Sequence, residues 1–161
     1  MFTLVRCDNQ DTENRGASEV LLPTEMEDFR GHNIGDHIAD VERREDPSTS
    51  VYSMPDELIY RVPLSGMGTS WYEVSYQFSE HGLYDIRLEV YAATDSIRNT
   101  LAKEICAHYT KKFGDFRGSA HHKEWRIMSA EGRIVAIGIT DTLILKNKPA
   151  LRIKYEEEYG K

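Results

Sequence analysis

Residues 71–91 read WYEVSYQFSEHGLYDIRLEVY, and the fold turns on how they are read. In the first arm Tyr72, Val74, Tyr76 and Phe78 alternate with Glu73, Ser75 and Gln77. Beyond Ser79-Glu80-His81-Gly82, the residues Tyr84, Ile86, Leu88 and Val90 alternate with Asp85, Arg87 and Glu89. Successive strand side chains point to opposite faces, so period two on both arms predicts an antiparallel hairpin with one face on a core and one in water. On this parity Tyr72, Tyr76 and Tyr84 point inward. Trp71 and Tyr91 have the opposite parity and, with Glu73, Gln77, Arg87 and Glu89, form a candidate partner-binding patch on the wet face.

Working outward, the best helix runs from about Thr94 to Phe113. Ile97, Leu101, Ile105, Tyr109 and Phe113 recur every four residues, Thr94 or Ser96 supplies an N-cap, and Lys111 and Lys112 sit at the negative end before Gly114. A shorter helix carries Ile38 and Val41, with Asp36 as its cap and Asp46-Pro47-Ser48-Thr49-Ser50 as its stop. Leu58, Tyr60, Val62 and Leu64 alternate as a strand that Pro63 places at an edge or interrupts. Downstream, strands are predicted over His122–Ser129, Arg133–Ile139 and Leu151–Tyr155, with Thr140–Leu145 extending the second or bowing out, and a turn at Asn147-Lys148-Pro149. The expected fold is α+β: an antiparallel sheet of about six strands with the long helix packed on one face. The repeated order of helix then strands suggests two related αβββ halves, about 29–91 and 92–161, within a single domain spanning 29–161. Residues 1–28 are expected to be a poorly ordered N-terminal segment.

At 161 residues, 40% hydrophobic and 29% charged, the chain has the composition of a globular domain. A net charge of −7 argues against a nucleic-acid partner, since phosphate binding needs a basic surface. No apolar run approaches the roughly 20 residues a membrane-spanning helix needs. Cys7 and Cys106 are too far apart in sequence to suggest a disulfide framework or a metal motif. Cys106, on the apolar side of the long helix, reads as a buried free thiol. Cys7 follows a short apolar start, Phe2-Thr3-Leu4-Val5, and precedes a polar run, the layout of a lipoprotein attachment site with a tether. Arg6 stands where such a signal wants a small residue, and the alternative is an ordinary N-terminus.

Chemistry-bearing patterns are sparse. His32, Asp36 and His37 cross a helix start and cannot all point one way, and His121-His122 reads as an exposed loop, so no metal is expected. Ser65, Ser70 and Ser79 lack a nucleophile elbow. Gly66-Met67-Gly68 precedes a strand rather than the helix N-terminus a phosphate would need. No catalytic residue and no cofactor is expected.

The segments IGDHIADVERRED (34–46), LIYRVP (58–63) and the hairpin YEVSYQF–GLYDIRL (72–88) resemble a small module of bacterial envelope proteins. In element order, residues 29–156 resemble the tandem layout of β-lactamase inhibitor proteins and, in single copy, outer-membrane assembly lipoproteins. The second half departs from the pattern, with Ala92-Ala93-Thr94 in place of the glycine-led entry. The resemblance implies a sheet that presents a concave aromatic face to a partner protein. It points to a non-enzymatic protein-binding domain, an immunity or inhibitor protein neutralising a toxin or enzyme, located in the periplasm or cell envelope. The alternatives are an envelope assembly or structural lipoprotein anchored through Cys7 and, further off, a small-ligand binder or enzyme using the space between sheet and helix.

Overall fold

The computed structural model describes residues 21, 29–129 and 132–158, and the statements below concern these. Cys7 and the rest of the N-terminal segment lie outside them, apart from Leu21, which is fully buried in the core. The chain is α+β, with one antiparallel sheet of eight strands rather than about six. In chain order the elements are α1 (Ile38–Arg44), a 3₁₀ turn (Pro47–Thr49), β1 (Ser50–Met54), β2 (Glu57–Pro63), β3 (Trp71–Ser79) and β4 (Gly82–Tyr91). There follow α2 (Asp95–Phe113), β5 (Arg117–Gly118), β6 (His122–Met128), β7 (Ile134–Leu145) and β8 (Lys148–Glu157). The strand order is β1-β2-β3-β4-β8-β7-β6-β5, so two meanders meet along the β4–β8 seam.

One face of the sheet carries the core. Tyr72, Val74, Tyr76 and Phe78 on β3, and Ile86, Leu88 and Val90 on β4, are buried as their parity requires. Helix α2 covers β6, β7 and β8 with Leu101, Ala102, Ile105 and Tyr109. Each such fully buried Leu or Ile contributes about 1.5–3 kcal/mol of apolar burial. Thr94 Oγ1 accepts the Ile97 N–H at 3.2 Å, and Gly114, at φ +83°, ends the helix. Trp125 packs against Tyr109 and donates its indole N–H to the Gly114 carbonyl at 3.0 Å, tying the helix end to β6.

The 29–45 segment covers the other end of the core face. Gly35 N–H donates to Leu83 O at 2.7 Å and Leu83 N–H to Asp36 O at 2.8 Å, so this segment lies along the β3–β4 turn. Gly82, at φ +99°, permits that approach: a Cβ there would stand 2.4 Å from the Gly35 carbonyl oxygen. Asp36 does not cap α1. Its carboxylate accepts the Asn33 N–H at 3.1 Å, and His37 holds the cap position with no side-chain bond.

Beneath α1 lies a buried ionic cluster. The Glu45 carboxylate accepts from Tyr76 Oη at 2.5 Å and Arg30 at 3.0 Å, and lies 3.0 Å from His32 Nε2. Arg30 also donates to the Tyr72 hydroxyl. Burial works to raise the Glu45 carboxyl, but hydrogen bonds with His32 and Tyr76 and the Arg30 charge outweigh it and hold it below the usual carboxylate range.

Several expectations need correction. Strands β1 and β5 were not anticipated, because β1 is exposed at all five positions and β5 is two residues long. The turn after β7 is Lys146-Asn147, with φ +50° and +59°, and Pro149 lies within β8 opposite Ile144. Two consecutive left-handed residues suit the twist of a two-residue hairpin. Pro63 pairs with Trp71 beyond the part of β2 that β1 reaches, where its missing N–H leaves no ladder bond unmade. Cys106 is half-buried rather than buried.

Candidate functional site

The face of the sheet opposite the helices is where the odd-numbered residues of β2, β3 and β4 gather. Trp71 and Tyr91 are directly opposite one another, and their rings stack at 3.9 Å between centroids and 18° between planes. The Arg61 guanidinium lies 4.7 Å from the centroid of Trp71, and Lys146 Nζ lies 5.1 Å from Trp71 and 5.0 Å from Tyr91. Such cation–π contacts stabilise by about 0.5–1 kcal/mol each where exposed. The stack therefore has Arg61 against the Trp71 ring and Lys146 at its rim, equidistant from both rings, which restricts its freedom to rearrange.

Next along the strands, Glu73 and Glu89 also face each other. Like charges in this position repel, and three cations relieve the strain. Glu73 accepts from Arg61 at 2.6 Å and from Lys146 at 3.0 Å, while Glu89 accepts from Arg152 at 2.6 Å. The Tyr91 hydroxyl donates to Glu89 at 2.8 Å and lies 3.3 Å from Glu73. Burial and then the Glu89 hydrogen bond push the Tyr91 phenol far up, keeping its proton in place. Partial burial works to raise the Glu73 carboxyl, but the Arg61 and Lys146 hydrogen bonds prevail and lower it. Glu73 is thus held as an anion, unsuited to donating a proton at neutral pH.

Of the expected patch, Trp71, Glu73, Gln77, Arg87 and Glu89 all lie half-buried on this face. Tyr91 shares the face but is 1% exposed, so it acts as the floor beneath Trp71 rather than as an exposed anchor. Tyr84, expected in the core, is the second correction. A register shift between Gln77 and Phe78 pairs Phe78 with Leu83 and leaves Tyr84 as the extra residue of a bulge. Its hydroxyl donates to Gln77 Oε1 at 3.2 Å, while Leu83 takes the core position.

Three residues of the site were missed in sequence. Arg61 and Arg152 were legible by parity, since Tyr60 and Val62 flank one and Leu151 and Ile153 flank the other. Lys146 was not: it reaches Glu73 across 73 residues from a hairpin turn whose position was misjudged.

Farther along the same face lies Asp85, 2% exposed, 3.0 Å from Lys154 Nζ and 3.9 Å from Arg87. Burial pushes its carboxyl up against the pull of Lys154. Beside it, Ala136 and Gly138 on β7 leave a shallow depression of about 320 Å³ rimmed by His122, Thr140, Arg152 and Lys154. Its cations are matched by carboxylates, with Arg152 on Glu89 and Lys154 on Asp85 and Glu156.

On the helix side, a second hollow of about 370 Å³ lies among Asn99, Ala102, Lys103, Cys106, Lys123 and Asp141. Burial pushes the Cys106 thiol up, so it is a poor nucleophile. The histidines of the sequence do not converge. His32 is buried against Glu45 and His37 is exposed, while His121 and His122 pair separately with Asp141 and Thr140. Among the described residues no group of three or more His, Cys, Asp or Glu could hold a metal ion, and no helix is long and apolar enough to cross a membrane. No protein-family model matches the chain, and neither a curated protein nor a solved structure is significantly similar to it.

Proposed function

We propose that this chain is a non-enzymatic protein-binding domain that docks its helix-free sheet face on a partner, as an immunity or inhibitor protein would on a toxin or enzyme. The observation that carries the reading is the Trp71–Tyr91 stack braced by Arg61 against Trp71 and by Lys146 at its rim. Aromatic and arginine side chains already fixed in place lose little freedom on binding, which is the character of an interface hot spot. The surrounding carboxylates are ion-paired, which suits recognition of a surface better than proton transfer.

In finer detail, we read the domain as two related halves, α1 with β1–β4 and α2 with β5–β8. The mirrored strand order about the β4–β8 seam supports this, as does the repeated order of helix then meander. It is also what a resemblance to tandem inhibitor modules leads one to expect.

The test is affinity capture from the native source with the immobilised chain, followed by titration of the captured protein. Trp71→Ala should weaken binding by about 2 kcal/mol, or roughly 30-fold. Arg87→Gln, on the same face and adding no carboxylate beside the buried Asp85, separates lost contact from lost folding when its thermal midpoint is read alongside. A captured partner that binds both variants as tightly as the parent chain would refute the assignment of this face.

A further inference from the structure

The two edges of the sheet are not alike. Strand β5 has two residues and is blunted by its shortness, whereas β1 has five, all exposed. The β1 sequence Ser50-Val51-Tyr52-Ser53-Met54 contains no charge and no proline, the usual devices that keep an edge from pairing. Val51, Tyr52 and Met54 are 49%, 45% and 49% exposed. A register shift places Val51 as a bulge, leaving Tyr52–Met54 in regular pairing with β2 on one side and, among the described residues, with no strand on the other.

The pairing gives the edge a two-sided chemistry. Tyr52 lies opposite Ile59 and Met54 opposite Glu57, on the helix-free face, while Ser50 and Ser53 lie opposite Tyr60 and Leu58, on the core face. A strand laid beside β1 therefore meets apolar neighbours on one of its faces and small polar ones on the other. Both ends of the edge are acidic: Asp46 and Asp56 are exposed, with Glu42 and Glu57 nearby in sequence, while Arg43 and Arg44 are engaged by Asp40 and Asp36. A second copy paired antiparallel about Tyr52 would set the Asp46 end of each edge against the Asp56 end of the other, so like charges oppose self-pairing.

We propose that β1 is a docking edge that takes up an extended segment of a partner protein by strand addition. The segment carries apolar residues at alternate positions, set against Tyr52 and Met54, and Lys or Arg at both ends. Main-chain hydrogen bonds to the open edge give affinity, and the alternate side chains and end charges give selectivity.

The test uses the full chain, isotopically labelled, with amide hydrogen exchange read by NMR. The probe is an end-blocked peptide, Lys-Thr-Val-Thr-Val-Thr-Lys. Two controls accompany it, one with Glu at both ends and one with the same composition but the alternation broken. The basic alternating peptide should slow exchange within residues 50–54 by about tenfold or more. The acidic-ended peptide should need roughly tenfold more for the same effect, given two exposed ion-pair sites turned repulsive. Tyr52→Lys should abolish protection with an unchanged thermal midpoint, since the side chain is exposed. Trp71→Ala should leave protection in place, which separates this proposal from the assignment of the sheet face. Three results would overturn it: no protection at 50–54, equal protection by all three peptides, or slowing that depends on protein concentration without peptide, which would assign the edge to a second copy.

Discussion

Glu45 is the residue whose removal should reveal most about what holds the 29–45 segment to the sheet. Its side chain is 1% exposed and has three partners. Arg30, 24% exposed, can turn toward water when the carboxylate is lost, whereas His32 and Tyr76 are fully buried and cannot. Glu45→Ala therefore leaves two buried polar groups without their acceptor, at about 1–3 kcal/mol each. The expected total is about 3–5 kcal/mol, as for other broken buried charge clusters. For a chain of this length that lowers the thermal midpoint by roughly 10 °C or more. Glu45→Gln keeps one carbonyl acceptor and should cost about half as much.

The charge makes a second, independent prediction. The folded Glu45 carboxyl lies below its ordinary value of 4.5. Its contribution is therefore fully present above the unfolded value and is lost as the pH falls below about 4.5 through the folded one. Urea titrations between pH 3 and 7 should show this loss in the parent chain and a shallower dependence in Glu45→Gln. Coupling between Glu45→Gln and Tyr76→Phe in a double-mutant cycle should be about 1 kcal/mol or more. A cost below about 1 kcal/mol for Glu45→Ala, or an unchanged acid slope in Glu45→Gln, would refute the reasoning.

Gly82→Ala should destabilise by about 2–4 kcal/mol, since the residue combines φ +99° with a Cβ position 2.4 Å from a backbone oxygen; chemical denaturation measures it. Thr94→Ala removes the α2 cap and should cost about 1 kcal/mol in the same assay. Burial, first of all, raises the phenols of Tyr76, Tyr91 and Tyr109. Their contribution to stability is intact below pH 10 and is lost as the pH rises beyond it. Absorbance at alkaline pH should therefore show these tyrosines ionising only with unfolding, and at least these three failing to titrate before the transition is the outcome to look for.

The hairpin, the long helix and the inward parity of Tyr72 and Tyr76 were legible because local periodicity encodes them. Local periodicity is blind to a bulge, and one extra residue turned Tyr84 from core to open face. It is equally blind to contacts between distant segments. The Glu45 cluster joins residues 30, 32, 45 and 76, and no spacing rule marks Glu45 as anything but the charged end of a helix. Half of the functional site was legible by alternation. Lys146 and the burial of Tyr91 were not, because both depend on a turn that folds back from β7 over a strand pair far earlier in the chain.

The β4–β8 seam has a consequence for assembly. Within each meander, β1 through β4 and β5 through β8, every strand pairs with a sequence neighbour, so each can close through short loops. The seam alone joins the meanders through strand pairing, matching Asp85–Tyr91 with Ala150–Glu156. Its long loop makes it the entropically most demanding pairing in the sheet. During synthesis β4 emerges well before β8, the last described strand. Until β8 arrives, the nascent chain holds an uncovered strand in the middle of its future sheet, and that interval is when misassembly between chains is most favoured.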